Sequence, residues 1–235
     1  MDIKNSVAFV SGANRGLGLE LVKQLQARGA AKIYAGVRDV NSLNLPGVIP
    51  VQFDVTKPGD ITAAAAQCAD TTLLINNAGI AKLVGFLDED SIEVTREIFE
   101  ANVYGPLRAA KAFAPALGKN GGGAIVNILS IASWTNSGQM GPYAMSKAAA
   151  WSLTNGLRND LIPQGTQLVG VHVGFMDTDL TKGFDVVKVS AGDVAGQILD
   201  GVQAGAKEVL ADDITRKVKR GLSDQPGIYL APLQR

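Results

Sequence analysis

The sequence predicts one α/β domain, residues 1–235, in which a parallel sheet is covered by helices on both faces. With 46% hydrophobic and 19% charged residues over 235 positions, the chain can bury one sizeable core. Short apolar runs alternate along it with longer helix-like segments, a pattern typical of strands joined by crossover helices. The runs are continuously apolar rather than alternating, as expected for strands buried on both faces.

Each element follows from local composition. Seven runs rich in β-branched and apolar residues are predicted strands, at 6–10, 32–35, 48–53, 72–75, 124–129, 168–173 and 208–210. Seven Ala-rich or Leu-rich segments, often bounded by Gly or Pro, are predicted helices, at 16–28, 61–68, 91–102, 106–117, 142–161, 191–204 and 214–222. The glycines at 121–123 are expected to form a loop. Residues 174–190 form either a cover over a pocket or a plain surface connection.

Charge and residue counts exclude several classes of function. The 22 basic and 22 acidic side chains cancel, so no net field attracts nucleic acid or an anionic membrane. Cys68 and His172 are the only residues of their types, which rules out an intrachain disulfide and a Cys/His zinc site. No apolar stretch has the length of a membrane span, and the start of the chain does not read as a signal peptide. We therefore expect a cytoplasmic protein with no metal, in which Cys68 is buried and His172 is structural.

A glycine-rich turn joins the first predicted strand to the first predicted helix. Gly12, Gly16 and Gly18 are spaced G-x3-G-x-G, which matches neither the G-x-G-x-x-G fingerprint nor the P-loop. Residues without a Cβ allow a sharp turn and let a pyrophosphate approach the backbone at a helix N-terminus. Taken alone, the turn is explained equally well by a tight connection that binds nothing.

A second group of residues lies far along the chain. Pro142 begins a predicted helix and makes Tyr143 and Lys147 an i, i+4 pair on one helix face. Ser130 follows the predicted strand 124–129 directly. Because ligands of open α/β sheets bind beyond the carboxyl ends of the strands, these three side chains are expected to share one site.

With these residues in place, the chain resembles the short-chain dehydrogenase/reductase family. The matching motifs are residues 11–18, Asp54-Val55, Asn76-Asn77-Ala78-Gly79, Asn102, Ser130, and Tyr143 with Lys147, in the family's order over nearly the whole chain. The resemblance implies a single Rossmann domain with a doubly wound sheet of about seven parallel strands, a nicotinamide cofactor, and a homodimer or homotetramer.

The catalytic roles combine chemistry with this resemblance. An unperturbed tyrosine has a pKa of about 10, so proton exchange by Tyr143 calls for a cationic neighbour, which Lys147 can be. The Ser130 hydroxyl would stabilise charge on a carbonyl oxygen, and Ser133 is a second candidate for that role. For Asn102 the resemblance implies a relay that links Lys147 to solvent through water.

The cofactor is expected to be NADP rather than NAD. Family members that use NAD carry an acidic residue after the second strand, where this chain has Val37 followed by Arg38. Arg38 and Arg15 would bind a 2′-phosphate. Because Asp39 follows Arg38 directly, the family's acidic position could instead fall one or two residues later. Val173 replaces a proline of the family's segment after the sixth strand. The expected cofactor contacts are Gly12, Asn14, Arg15, Gly16, Leu17, Gly18, Arg38, Asp54, Val55, Asn77, Ala78, Gly79, Tyr143, Lys147, Gly174, Met176 and Thr178.

These residues predict an NADP-dependent carbonyl reductase or alcohol dehydrogenase acting on a small ketone, aldehyde or alcohol. The alternative is a catalytically silent Rossmann protein that senses the NADP redox state, and such a protein should have lost Tyr143 or Lys147. A methyltransferase has no use for that pair, and a Ser-His hydrolase lacks the G-x-S-x-G elbow. Candidate pocket residues, each explained equally well as core or lid, are Trp134, Met140, Phe175, Leu180 and Phe184.

Overall fold

The computed structural model describes residues 1–136, 138–178, 181–183 and 185–230. Its strands are β1 Val7–Ser11, β2 Lys32–Val37, β3 Ile49–Gln52, β4 Leu73–Asn76, β5 Ala124–Ile128, β6 Gln167–His172 and β7 Glu208–Leu210. Its helices are α1 Gly16–Ala27, α2 Pro58–Gln67, α3 Ser91–Phe99, α4 Gly105–Lys119, α5 Gly141–Asp160, α6 Ala191–Gln203 and α7 Asp213–Gly221.

Within the described residues, the seven strands form one sheet in the order β3-β2-β1-β4-β5-β6-β7. Every pair is parallel. The chain starts at β1, winds outward to β3, and then returns to β4 on the other side of β1. This doubly wound order places a crevice at the carboxyl ends of β1 and β4, and it confirms the predicted Rossmann-type α/β class.

Two apolar layers cover the sheet. On one face α1 and α6 pack against each other and against the strands, and on the other face α2 and α4 do so, joined by the end of α5. Cys68 is buried in the second layer, as expected, and burial raises the pKa of its thiol to about 12. The thiol therefore stays protonated and acts as a small apolar side chain.

The predicted helix at 91–102 is wrong over its last three residues. The α3 helix ends at Phe99, and a π-helical segment, Glu100–Tyr104, leads directly into α4. An i→i+5 turn inserts an extra residue into the helix, a local change that a 3.6-residue pattern does not encode. The α2 helix also begins earlier than expected, at Pro58, whose fixed φ suits the first helical turn.

A buried polar chain ties the carboxyl half of the sheet to α5. Asn76 Nδ2 donates to Asn127 Oδ1 over 2.8 Å, and Asn127 Nδ2 donates to Thr154 Oγ1 over 2.9 Å. Because each of these amides has a partner, the network positions β4, β5 and α5 relative to one another. The residues after β4 and β5 and the first turns of α5 contribute to the site described below.

In the part of the chain that the structure describes, no helix is both long and apolar enough to cross a membrane. Nor do the described residues bring together three or more His, Cys, Asp or Glu side chains that could hold a metal ion.

Candidate functional site

The glycine turn forms a cradle at the carboxyl end of β1. Gly12 and Gly16 have φ values of 65° and 52°, a region that favours glycine. A Cβ at Gly18 would lie 2.1 Å from the Gly12 carbonyl oxygen and 2.6 Å from Asn77 Nδ2. Only a residue without a side chain fits there. The glycine turn is therefore tight, and the first backbone N–H groups of α1 lie in it, where a phosphate can approach them.

Ser11 and Asn77 bind the glycine turn to the segment after β4. The Ser11 hydroxyl accepts hydrogen bonds from the N–H groups of Asn77 and Ala78, each over 3.0 Å. Asn77 Nδ2 donates to the carbonyl oxygens of Ser11 and Gly12 over 2.9 and 3.2 Å. The predicted residues Gly12, Asn77 and Ala78 are thus brought together at the crevice. Sequence reasoning assigned no role to Ser11, whose only signal was a hydroxyl at a strand end.

The turn after β2 settles how Val37, Arg38 and Asp39 are oriented. Val37 is only 2% exposed and belongs to the core, so it does not stand at the surface where an acidic residue would meet a ribose. Arg38 is exposed. The Asp39 carboxylate accepts from the backbone N–H and the amide of Asn41 and is occupied in a tight turn. Arg38 is therefore the side chain that this turn offers to a ligand.

Asp54 and Val55 follow β3 beside the same turn. Burial opposes ionisation of Asp54, but hydrogen bonds from the Thr56 hydroxyl and N–H and the charges of Lys57 and Arg38 lower its pKa. The Asp54 carboxylate is thus hydrogen-bonded within its own turn, and the charge of Arg38 contributes to its lowered pKa. Val55 packs closely against the glycine that opens α4.

Ser130, Tyr143 and Lys147 meet beyond the carboxyl end of β5. The Ser130 hydroxyl accepts from the N–H of Ala132 over 3.1 Å and hydrogen-bonds Tyr143. Lys147 Nζ donates to the Ile128 carbonyl oxygen over 2.8 Å and lies 5.7 Å from the centre of the Tyr143 ring. The three side chains expected to share one site do so. Ser133, the second serine candidate, is buried without a hydrogen-bond partner for its hydroxyl.

Burial shifts the proton affinities of Tyr143 and Lys147. It raises the pKa of Tyr143, and hydrogen bonding to Ser130 only partly opposes the rise. Burial also lowers the pKa of Lys147 to about 8. In the chain by itself, removal of Tyr143 from water thus outweighs what favours its phenolate, so Tyr143 keeps its proton at neutral pH. The role of Lys147 as the cation that stabilises this phenolate stays a prediction.

Asn102 lies in the π-helical segment, and its side chain is fully paired. Its Oδ1 accepts from the Ile80 N–H over 2.9 Å, while Nδ2 donates to the Ile80 carbonyl over 2.8 Å and to Ser146 Oγ over 3.1 Å. A Cβ at Gly79 would lie 3.0 Å from Asn102 Oδ1 and 4.0 Å from Lys147 Nζ. Gly79 therefore lies close to both Asn102 Oδ1 and Lys147 Nζ.

The segment after β6 faces the glycine turn from the opposite side. A Cβ at Gly16 would lie 3.3 Å from the Thr178 methyl group. Met176 packs against the core, and its backbone forms a bridge with Val189. Gly174 donates its N–H to an Asp212 carboxylate oxygen over 2.6 Å. The crevice thus has a second wall, which includes the predicted residues Gly174, Met176 and Thr178.

The predicted pocket residues have different surroundings. Trp134 packs on His172, with ring centres 3.9 Å apart and planes inclined by 19°, and so belongs to a packed cluster behind Ser130. His172 is completely buried, as expected for a structural histidine. Met140 and Phe175 are partly exposed near the ends of α5 and β6. Leu180 and Phe184 lie outside the described residues.

Comparison with known proteins agrees with this architecture. A family model described as short chain dehydrogenase matches residues 6–186. A short chain dehydrogenase from Burkholderia cenocepacia J2315, solved in complex with NADP, is 36% identical and superposes over 100% of both chains with a TM-score of 0.95. Dehydrogenase/reductase SDR family member 7B of Mus musculus is 30% identical, over 90% of this chain and 74% of its own length. Short-chain dehydrogenase ptmH of Penicillium ochrochloron is 33% identical, over 74% of this chain and 67% of its own length.

Proposed function

Because the chain belongs to the short-chain dehydrogenase family, we propose that it is an NADP(H)-dependent oxidoreductase that interconverts a small ketone or aldehyde and its alcohol. The observation that carries this proposal is the meeting of Ser130, Tyr143 and Lys147 beyond the carboxyl end of β5. These side chains supply a proton donor, a hydroxyl for a carbonyl oxygen and a cation, which together polarise a carbonyl group.

The crevice fits a dinucleotide. A Cβ at Gly18 would meet the Gly12 carbonyl oxygen at 2.1 Å, so α1 begins in close contact with the glycine turn, and its first N–H groups lie at that turn. The residues that would hold the cofactor lie on both sides of the switch point between β1 and β4: Gly12, Asn14, Arg15, Gly16, Leu17, Gly18, Arg38, Asp54, Val55, Asn77, Ala78, Gly79, Tyr143, Lys147, Gly174, Met176 and Thr178.

We propose NADP rather than NAD because of the positive charge at the carboxyl end of β2. Arg38 is exposed at the end of β2, and its charge reaches Asp54. Arg15 is exposed in the glycine turn. Guanidinium groups bind phosphate through charge-assisted, often bidentate hydrogen bonds. The related protein from Burkholderia cenocepacia, solved with NADP, supports the same assignment.

The nicotinamide, when bound, supplies or accepts the hydride. In the reductive direction the Tyr143 hydroxyl gives its proton to the substrate oxygen, and the high pKa that burial imposes keeps this proton in place at neutral pH. Ser130 donates a hydrogen bond to the same oxygen as negative charge develops there. Lys147, with a pKa of about 8, carries an ammonium charge at neutral pH that stabilises the phenolate left behind.

Reprotonation of Tyr143 then needs a path to solvent. Lys147 Nζ lies 5.7 Å from the centre of the Tyr143 ring, and a Cβ at Gly79 would lie 4.0 Å from Lys147 Nζ and 3.0 Å from Asn102 Oδ1. We propose that Asn102 holds the relay through which Lys147 exchanges protons with water. The hydrogen bonds from Asn102 to the Ile80 backbone keep the π-helical segment in the position that this role needs.

A pair of tyrosine variants tests the proposed function. Oxidation of NADPH is followed by its absorbance over a panel of ketones and aldehydes for wild type, Tyr143→Phe and Tyr34→Phe. Tyr143→Phe should lose about 10²- to 10⁴-fold in turnover and keep its NADPH affinity, because the ring remains while the acid is gone. Tyr34→Phe is the matched control, since Tyr34 is also buried but its hydroxyl is bonded to Asp70.

Normal turnover in a folded Tyr143→Phe protein would contradict the role of Tyr143. A wild type that binds NADPH tightly but reduces none of the panel would favour the alternative of a silent redox sensor.

We also infer that the chain forms a homodimer or homotetramer through the faces of α3, α4 and α5. Ile92 in α3, Tyr104 at the end of the π-helical segment and Met145 in α5 are exposed by 58%, 46% and 39%, as expected of large apolar side chains that a second copy covers. Light scattering of the purified protein checks this inference, and a particle with the mass of one 24.5 kDa chain at micromolar concentration would contradict it.

A further inference from the structure

A buried carboxylate connects the segment after β6 to the start of α7. Asp212 is 6% exposed, and each of its oxygens accepts one backbone N–H. Oδ1 accepts from Thr215 over 2.8 Å and caps α7, while Oδ2 accepts from Gly174 over 2.6 Å. Gly174 lies so close that a Cβ there would be 2.9 Å from the Ile214 side chain. The capping carboxylate of α7 thus also holds the residue from which the segment after β6 departs.

The same segment, residues 173–178, reaches from Ser130 to the glycine turn. At one end the Val173 carbonyl accepts the N–H of Ile131, next to Ser130, over 2.9 Å. At the other end the Thr178 methyl group packs at Gly16. A dinucleotide that crosses the switch point places its two halves on opposite sides of β1. Since β6 lies on the side of β4 and β5, this segment borders the half that carries the nicotinamide.

The direction of this segment is not restricted by its own sequence. Val173 leaves φ free, whereas a proline would fix it. A glycine follows and adds further freedom. Backbone pairing with Val189 begins only at Phe175, whose carbonyl accepts the Val189 N–H over 2.9 Å. Between β6 and that pairing, the Asp212 side chain holds the backbone N–H of Gly174.

We propose that Asp212 is a positioning residue for the nicotinamide half of the cofactor site, acting through Gly174. This inference rests on the proposed function. An ionised carboxylate that accepts two N–H groups away from water holds them more strongly than a neutral acceptor does. Asp212 therefore fixes the wall formed by Gly174, Met176 and Thr178 at the distance from the glycine turn that a bound nicotinamide needs.

Two substitutions separate this role from simple capping of α7. In Asp212→Ser the shorter side chain still caps a helix well but cannot also reach the Gly174 N–H. In Asp212→Ala both bonds are lost. Asp213→Asn is the matched control, because Asp213 is the next residue along the chain and its carboxylate pairs with Arg216. Asp213→Asn removes a neighbouring charge but leaves both Asp212 hydrogen bonds in place, so it separates loss of charge from loss of the Gly174 hydrogen bond.

The experiment measures dissociation constants by calorimetry for NADPH and for 2′,5′-ADP, a fragment that lacks the nicotinamide, together with the thermal midpoint of each protein. We expect Asp212→Ser to have a higher thermal midpoint than Asp212→Ala, because it keeps the cap, and to keep wild-type affinity for the fragment. It should bind NADPH about tenfold to a hundredfold more weakly, the value of one charge-assisted hydrogen bond. Asp213→Asn should match wild type for both ligands.

Wild-type affinity of Asp212→Ser for NADPH would overturn the inference and leave Asp212 as a helix cap alone. Equal weakening of NADPH and 2′,5′-ADP would also overturn it, because the effect would then not be confined to the nicotinamide half. A wild type that binds neither NADPH nor NADH would instead refute the proposed function, and the inference with it.

Discussion

Acidification should destabilise the folded protein through His172, the histidine behind Ser130. The side chain is completely buried, its Nδ1 lies 3.1 Å from the Ser130 carbonyl oxygen, and Trp134 stacks on its ring. Burial lowers its pKa from 6.5 to about 4, against the opposing effects of the Ser130 carbonyl and Glu208. The nearby ammonium group of Lys219 acts in the same direction as burial. His172 is therefore neutral in the folded state throughout the neutral range.

The size of the effect follows from the two pKa values. The unfolded chain takes up a proton on His172 near pH 6.5, while the folded chain does so only near pH 4. The free energy of unfolding therefore falls as the pH drops from about 6.5 towards 4. One pKa unit corresponds to about 1.4 kcal/mol, so the full loss is about 3 kcal/mol. Between about pH 7.5 and pH 5, protonation of His172 alone lowers the free energy of unfolding by about 2 kcal/mol.

Urea unfolding of wild type and His172→Gln at a fixed protein concentration measures the effect. Glutamine keeps an N–H donor for the Ser130 carbonyl but does not titrate. The difference in unfolding free energy, wild type minus variant, should decrease by about 2 kcal/mol between about pH 7.5 and pH 5. Parallel pH profiles for the two proteins would refute the assignment of a depressed pKa to His172.

Three further substitutions test the cofactor and proton roles. Lys147→Met should reduce turnover and weaken cofactor binding. Its residual activity should lack the fall in rate near pH 8 that is expected of wild type. An alkaline limb of the pH–rate profile that is the same in both proteins would contradict the role of Lys147. Arg38→Leu should lower kcat/KM for NADPH by about tenfold to a hundredfold in steady-state kinetics and leave kcat/KM for NADH unchanged. If the ratio of the two kcat/KM values is the same as in wild type, Arg38 does not bind the 2′-phosphate. Gly18→Ala should abolish NADPH binding in calorimetry because its Cβ would meet the Gly12 carbonyl at 2.1 Å, whereas Gly59→Ala in α2, with open space around it, should bind normally. NADPH binding by Gly18→Ala at wild-type affinity would show that the turn is not a cofactor cradle.

The burial of Val37 corrects the sequence-based interpretation of this turn. The sequence places Val37 where family members that use NAD carry an acidic residue. Val37 is a core residue, so an aspartate there would bury an unpaired charge and destabilise the fold. The substitution is therefore confined to Arg38, whose side chain is exposed.

The order of strands and helices and the main site residues could be predicted from the sequence. Continuous apolar runs, helix-starting prolines and glycines at a turn are encoded in neighbouring residues, and parallel strands place their carboxyl ends at one edge. From these rules alone, Ser130 and the pair Tyr143 and Lys147 were expected at one site, and the structure brings them together.

The remaining features depend on residues far apart in the chain. Gly174 and Asp212 are separated by 38 positions, and Ser11 and Asn77 by 66, so no local pattern pairs them. The burial of Val37, the raised pKa of Tyr143 and the lowered pKa of His172 likewise depend on which distant atoms exclude water from each group. Period and turn chemistry are local properties of a chain, whereas desolvation and the partner of a buried polar atom arise only when the chain has packed.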